Sequence, residues 1–157
     1  MAITTGQTAP SFSLFDSDKN KVILQDFQGK NVLILFFPLA FTSVCTKELC
    51  SIRDNMASYN AVNAQVLGIS VDSLFVLNKF KFDQALNFPL LSDFNKQASA
   101  AYDVLYETFP AFEMQGVSKR AAFVIDKEGI IQYAAVCATP GDLPDFDDIQ
   151  AVLNGLN

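Results

Sequence analysis

Three cysteines, Cys45, Cys50 and Cys137, are the side chains best suited to nucleophilic or redox chemistry in this chain, and no histidine is present to assist them. The missing histidine excludes Ser-His-Asp and Cys-His catalysis and any His-based metal site. Three cysteines would bind zinc only with an added carboxylate, and their spacing fits no zinc motif. An odd count does not describe a structural disulfide framework. The plain alternative is that all three are buried apolar residues, because free cysteine is among the most buried types. Position separates Cys45 from the other two. It follows a strongly apolar segment by a short loop and opens a helical pattern. Cys45, Leu49, Ile52 and Met56 recur at helical spacing on one stripe. Cys45 is therefore expected in the first turn of a helix. Unpaired backbone N–H groups and the helix dipole favour negative charge there, which promotes the nucleophilic thiolate. Thr42 offers a hydroxyl three residues earlier, and Pro38 rigidifies the loop.

The elements that must hold these groups are legible in outline. Residues 31–37 form a nearly unbroken apolar run ending at Pro38, which predicts a buried central strand. Shorter extended pieces are expected at Phe12–Phe15, Lys21–Leu24, Gln65–Val71 and Phe88–Asp93. Helices are expected at Val44–Met56, Leu74–Gln84, near Lys96–Tyr102, and at Asp145–Leu156. Asp72 and Ser73 are candidate caps of the second helix. Ala121–Asp126 and Ile130–Val136 read as strands joined by a hairpin at Lys127-Glu128-Gly129. Alternating elements imply an α/β fold, and the hairpin makes the sheet mixed, with flanking helices.

The bulk properties narrow the class. Half of the 157 residues are hydrophobic, fifteen of them Phe, which suits one domain over 1–157 with a substantial core. A formal charge of −6 argues against nucleic acid or an anionic membrane as partner. No apolar stretch is long enough to span a bilayer, and the N-terminus lacks the basic and apolar regions of a signal peptide. A cytoplasmic setting is the resulting expectation.

The segment Phe36-Phe37-Pro38-Leu39-Ala40-Phe41-Thr42-Ser43-Val44-Cys45 resembles the peroxiredoxins, whose signature is Pro-x-x-x-Thr/Ser-x-x-Cys after a central strand. Gly6-x-x-Ala9-Pro10-x-Phe12 is similar to the family's opening. Gly68-Ile69-Ser70-Val71-Asp72-Ser73 and Phe88-Pro89-Leu90-Leu91-Ser92-Asp93 are similar to its middle segments. Arg120-Ala121-Ala122-Phe123-Val124-Ile125-Asp126 is similar to the segment carrying its active-site arginine. The resemblance covers residues 6–150. It implies a thioredoxin-like fold and a thiol-dependent peroxidase acting on hydrogen peroxide and organic hydroperoxides. Cys45 would be the peroxidatic thiolate that becomes a sulfenic acid. Thr42 would align the peroxide, Pro38 would shield the sulfenic acid, and Arg120 would stabilise thiolate and leaving oxygen. Glu48 would orient an arginine through a paired contact. The resemblance implies no metal, flavin or haem, because the sulfur carries the redox chemistry.

The thiol that resolves the sulfenic acid stays open. The Cys45-x-x-x-x-Cys50 spacing resembles the bacterioferritin-comigratory, or Q-type, branch. The Phe-Phe-Pro-Leu-Ala-Phe-Thr loop is similar to the AhpE-like branch, whose members often use one cysteine. Cys50 is the first candidate, an external thiol the second and Cys137 the third. In an intact helix Cys45 and Cys50 are separated by about 7.5 Å of rise and roughly 140° of rotation, so a disulfide between them requires unwinding. The resemblance implies a thioredoxin-like protein or a low-molecular-weight thiol as reductant, and a homodimer. Phe75, Phe80, Phe82, Phe109 and Phe112 are candidates either to cover the dimer face or to fill the core. The competing function is a thioredoxin-like redox sensor or binding module using Cys45 for disulfide exchange or oxidation-linked assembly. The absence of a Cys-x-x-Cys pair speaks against exchange of the thioredoxin type.

Overall fold

The run expected to form the central strand does so in a computed structural model describing residues 2–156. Strand β3, Asn31–Phe36, is buried along its whole length. It lies between β4, Ala64–Ser70, which runs parallel to it, and β6, Ala121–Ile125, which runs antiparallel. Such a strand is apolar on both faces because both faces are covered. Outward on one side follow β5 (Leu90–Ser92), β1 (Ser13–Asp16) and β2 (Lys21–Ile23). On the other side β7 (Ile131–Val136) completes the sheet in the order β2-β1-β5-β4-β3-β6-β7. The β3–β4–β5 core is parallel and the flanks are antiparallel, so the sheet is mixed as expected.

Alternation along β3 divides the core in two. Leu33 and Leu35, followed by Phe37, face a layer that contains Cys45, Leu49, Ile52, Leu77, Phe80, Ile149 and Leu153. Those residues come from α1 (Ser43–Asp54), α3 (Leu74–Gln84) and α5 (Phe146–Gly155). Val32, Ile34 and Phe36 face the opposite layer with Phe12, Tyr102 and Phe123. There the Tyr102 ring lies 5.4 Å from Phe36 and 5.1 Å from Phe123, and its hydroxyl donates to the Pro10 carbonyl at 2.7 Å. Gly68 has a steric reason. A Cβ there would come within 2.7 Å of Leu90 Cδ2 on β5.

Several boundaries differ from expectation. The helical stripe expected to run through Met56 breaks at Asn55, where φ −107° and ψ 15° end α1; Met56 begins a separate α2, Met56–Ala61. Met56 still packs against the same core layer, so the apolar spacing was preserved across the break. Ser73 caps α3 by accepting from Val76 N–H at 3.2 Å. Asp72 does not cap it and instead reaches the loop after β3. A 3-10 turn at Leu24–Phe27 and the short α4, Gln97–Ala101, complete the elements. Residues 103–119 form a long loop whose two ends are pinned together. Leu105 bridges Ser118, Tyr106 N–H donates to Val117, and Lys119 N–H donates to Val104 at 2.6 Å. No helix among the described residues is long and apolar enough to cross a membrane.

Of the phenylalanines considered for a dimer face, Phe80 is fully buried and is removed from that set. It packs beneath Phe37 and Phe41 because α3 turns it inward beside Leu77. Phe109 stacks edge-on against Tyr106, while Phe75, Phe82 and Phe112 are exposed.

Candidate functional site

The loop between β3 and α1 is fixed from three directions. Phe37 N–H continues the ladder to Ile69, Ala40 N–H donates to Asp72 Oδ2 at 2.8 Å, and Thr42 Oγ1 donates to the Leu39 carbonyl at 2.7 Å. Ser70 Oγ donates to the same Asp72 oxygen at 2.7 Å, so the end of β4 braces the end of β3. Pro38 is buried within this loop. Phe41 adopts φ +66°, a left-handed conformation uncommon for a bulky residue, and rests its ring 5.1 Å from Phe80.

Thr42 is the N-cap of α1, with extended backbone at φ −86° and ψ 152°. Its side chain does not cap the helix; its carbonyl accepts from Thr46 N–H and Thr46 Oγ1. Cys45 is the third helical residue, in the turn where backbone N–H groups lack intrahelical acceptors. Its side chain points inward and the residue is 1% exposed.

Arg120, also 1% exposed, immediately precedes β6. Its position follows from the register: Ala121 faces Phe36 across one ladder, and the Arg120 carbonyl accepts from Cys137 N–H at 2.8 Å across the other. Arg120 Nη2 donates to Cys45 Sγ at 3.3 Å and to the Pro140 carbonyl at 3.0 Å. Arg120 Nη1 donates to Glu48 Oε1 at 2.8 Å, in a pair almost wholly removed from solvent. Glu48 lies one turn beyond Cys45 on the inner face of α1. Burial pushes its carboxyl up to about 7, and attraction to Arg120 only partly offsets this. Burial by itself weakens Arg120's hold on its proton, but the neighbouring Glu48 and Cys45 outweigh it and raise Arg120 above its ordinary value.

The structure therefore brings Cys45 and Glu48 each into direct contact with Arg120, with Thr42 and Pro38 on the loop that leads into Cys45. The other two thiols stand apart. Cys50 is half-buried on another side of α1, and its Sγ donates to Gln84 Oε1 at 3.4 Å. Cys137 is the cross-strand neighbour of Arg120 and shares its side of the sheet. Burial raises the Cys137 thiol, Glu48 and Asp142 add to this, and Arg120 opposes it. All three cysteines are free.

Two contributors were not singled out from sequence. Asp72 was read as a helix cap, yet it braces the Cys45 loop. The available signal was its place just beyond a parallel strand, where α/β folds gather functional groups. The Pro140 carbonyl on Arg120 leaves no trace in residue type.

The chain is similar to known proteins along most of its length. Residues 5–134 match the AhpC/TSA family. The chain is 40% identical over 132 residues to peroxiredoxin Bcp of Escherichia coli K12, covering 83% of this chain and 84% of that one. It is 40% identical over 147 residues to the chloroplastic 2-cysteine peroxiredoxin of Chattonella marina var. antiqua, covering 87% and 72%. Among solved structures, peroxidoxin BcpB of Mycobacterium tuberculosis superposes with TM-score 0.86 at 27% identity over 99% of both chains. The reduced 2-Cys peroxiredoxin of Plasmodium vivax superposes with TM-score 0.84 at 30% identity, covering 96% of this chain and 80% of that one. A β3-loop-α1 unit that delivers a buried thiol to a buried arginine thus comes with similarity along most of the chain, and the chain belongs to the AhpC/TSA family of peroxiredoxins, thiol-dependent peroxidases of thioredoxin-like fold.

Proposed function

We propose that Cys45 is the sulfur that reduces the hydroperoxide. The observation that carries this is the 3.3 Å contact from Arg120 Nη2 to Cys45 Sγ at the N-terminus of α1. A guanidinium and unpaired N–H groups both favour the thiolate. The thiolate attacks one peroxide oxygen, an S–O bond forms, and the O–O bond breaks. The departing oxygen takes a proton and leaves as water or alcohol, and the sulfur is left as a sulfenic acid. Arg120 is held in place before substrate arrives, so it stabilises the developing charge without reorganising. Thr42 Oγ1 donates its own hydrogen to Leu39, which leaves oxygen lone pairs to accept from the peroxide O–H. Pro38, buried in the same loop, keeps water from the oxidised sulfur. Glu48 holds the guanidinium in orientation through Oε1.

Resolution falls to Cys50 or to an external thiol, with Cys137 the third candidate. The reductant is a thioredoxin-like protein or a low-molecular-weight thiol. The chain functions as one domain over 1–157, in the cytoplasm, and as a homodimer that covers part of the exposed phenylalanine surface. Stopped-flow consumption of hydrogen peroxide and an organic hydroperoxide tests the central claim. Wild type is expected to react far faster than a free thiol, and Cys45→Ser only at the slow rate of its two remaining free thiols. Equal, slow rates in the two proteins would remove Cys45 from the reaction.

A further inference from the structure

Two acids converge on one buried cation at this site. Cys45, Glu48 and Arg120 are each 1% exposed, and Arg120 donates to both of the others. The remaining titratable groups facing the cluster add no positive charge. Cys137 approaches from the end of β7, and Asp142 acts from the segment after it. Tyr106, from the 103–119 loop, feels Arg120, Cys137 and Asp142. Ionising Cys45 and Glu48 together would set two anions against a single guanidinium away from water, an arrangement that buried like charges resist. The second Glu48 oxygen, Oε2, is buried without a hydrogen-bond partner, as is Arg120 Nε. Oε2 is unpaired in either protonation state, but an unpaired buried charge costs more than an unpaired neutral group, so the carboxylate is the disfavoured form.

We infer that Cys45 and Glu48 share one proton across Arg120: Glu48 is a neutral acid while Cys45 is a thiolate, and ionises as the sulfur becomes a neutral sulfenic acid. The inference rests on Cys45 being the reacting sulfur. The step balances: thiolate, carboxylic acid and ROOH give sulfenic acid, carboxylate and ROH. The sulfur is oxidised, the O–O bond is reduced, and the Glu48 proton is consumed by the leaving oxygen. The cluster carries one negative and one positive charge before and after. Burial that raises Glu48 to about 7 places its proton where this exchange operates near neutral pH. Glu48 is thereby a positioning residue that also holds the proton the reaction needs.

The test is a proton count on the full-length reduced protein in weak buffer with a pH indicator, near neutral pH. One equivalent of hydrogen peroxide is added and Cys45 oxidation is followed by mass. Sharing predicts no net proton uptake from solvent. It also predicts loss of a protonated-carboxyl C=O band in the infrared difference spectrum. In Glu48→Gln the band is absent, each oxidised Cys45 draws one proton from solvent, and the rate loses its inflection near neutral pH. A residue that only steadied Arg120 would leave proton count and carboxyl band unaltered. Uptake of one proton by wild type, with Cys45 oxidised and no carboxyl change, overturns the inference and leaves the peroxidase reading intact. Failure of Cys45 to oxidise overturns both. The wild-type measurements decide the matter even if Glu48→Gln does not fold.

Discussion

Replacing Arg120 by Met separates the catalytic and structural contributions of one side chain. The substitution keeps much of the buried volume but removes the donors to Cys45 Sγ, Glu48 Oε1 and the Pro140 carbonyl. Loss of a preorganised donor at the reacting atom costs about 10²–10³-fold in rate, which is roughly 2.7–4 kcal/mol in the barrier. The structural cost depends on pH. Breaking a buried pair costs about 3–5 kcal/mol when the partner remains charged. Glu48 avoids part of this by keeping its proton. Its carboxyl is already raised from 4.5 to about 7 with Arg120 present, and removal of Arg120 takes away the one downward pull. A raised acid binds more protons folded than unfolded, so stability falls as pH rises above the unfolded value. The slope approaches about 1.4 kcal/mol per pH unit until the folded carboxyl ionises. Urea denaturation of Arg120→Met at about pH 5 and about pH 8 should therefore show a small deficit at the first and a larger one at the second. Adding Glu48→Gln should abolish the extra loss at high pH without restoring the peroxide rate. Equal deficits at both pH values would refute the electrostatic argument. Recovery of the rate in the double variant would refute the role given to the contact with sulfur.

Asp72→Ala leaves Ala40 N–H and Ser70 Oγ without their acceptor; a loss of about 1–3 kcal/mol in chemical denaturation is expected, with slower peroxide reduction in stopped flow because the Cys45 loop loosens. Gly68→Ala places a methyl 2.7 Å from Leu90 Cδ2; the same denaturation assay should show a cost of about 1–3 kcal/mol from overpacking between β4 and β5. Oxidation by one equivalent of peroxide, followed by peptide mapping, should yield a Cys45–Cys50 disulfide that Cys50→Ser eliminates. Hydrogen exchange should then show lost protection around residues 42–52, and loss confined to another region would exclude unwinding of α1 as the route.

The parts of this molecule that follow a period were legible from the residues. An apolar run bounded by a proline gave β3, and the spacing of Cys45, Leu49 and Ile52 gave the inner face of α1. Resemblance singled out Cys45, Thr42, Glu48 and Arg120, and three of these four meet in space. What stayed hidden depends on tertiary geometry. No local pattern announces that Asp72 turns away from its helix to brace Ala40, or that a carbonyl at Pro140 reaches Arg120. The break at Asn55 was hidden because the apolar spacing continues through it. Phe80 stayed open between surface and core because α3 is apolar on several sides, and only packing decides which phenylalanine turns in.

The pinned ends of the 103–119 loop bear on how this protein can vary. Arg120 is delivered from the backbone by the Leu105–Ser118 bridge, the Lys119–Val104 bond, and the ladder to β7. All of these lie outside the stretch from Glu107 to Gly116, where Phe112 is exposed. That stretch touches this frame through Phe109, whose ring stands edge-on 5.4 Å from Tyr106. Variation at its outward residues, Phe112 above all, alters the outer surface and leaves in place the bonds that position Arg120.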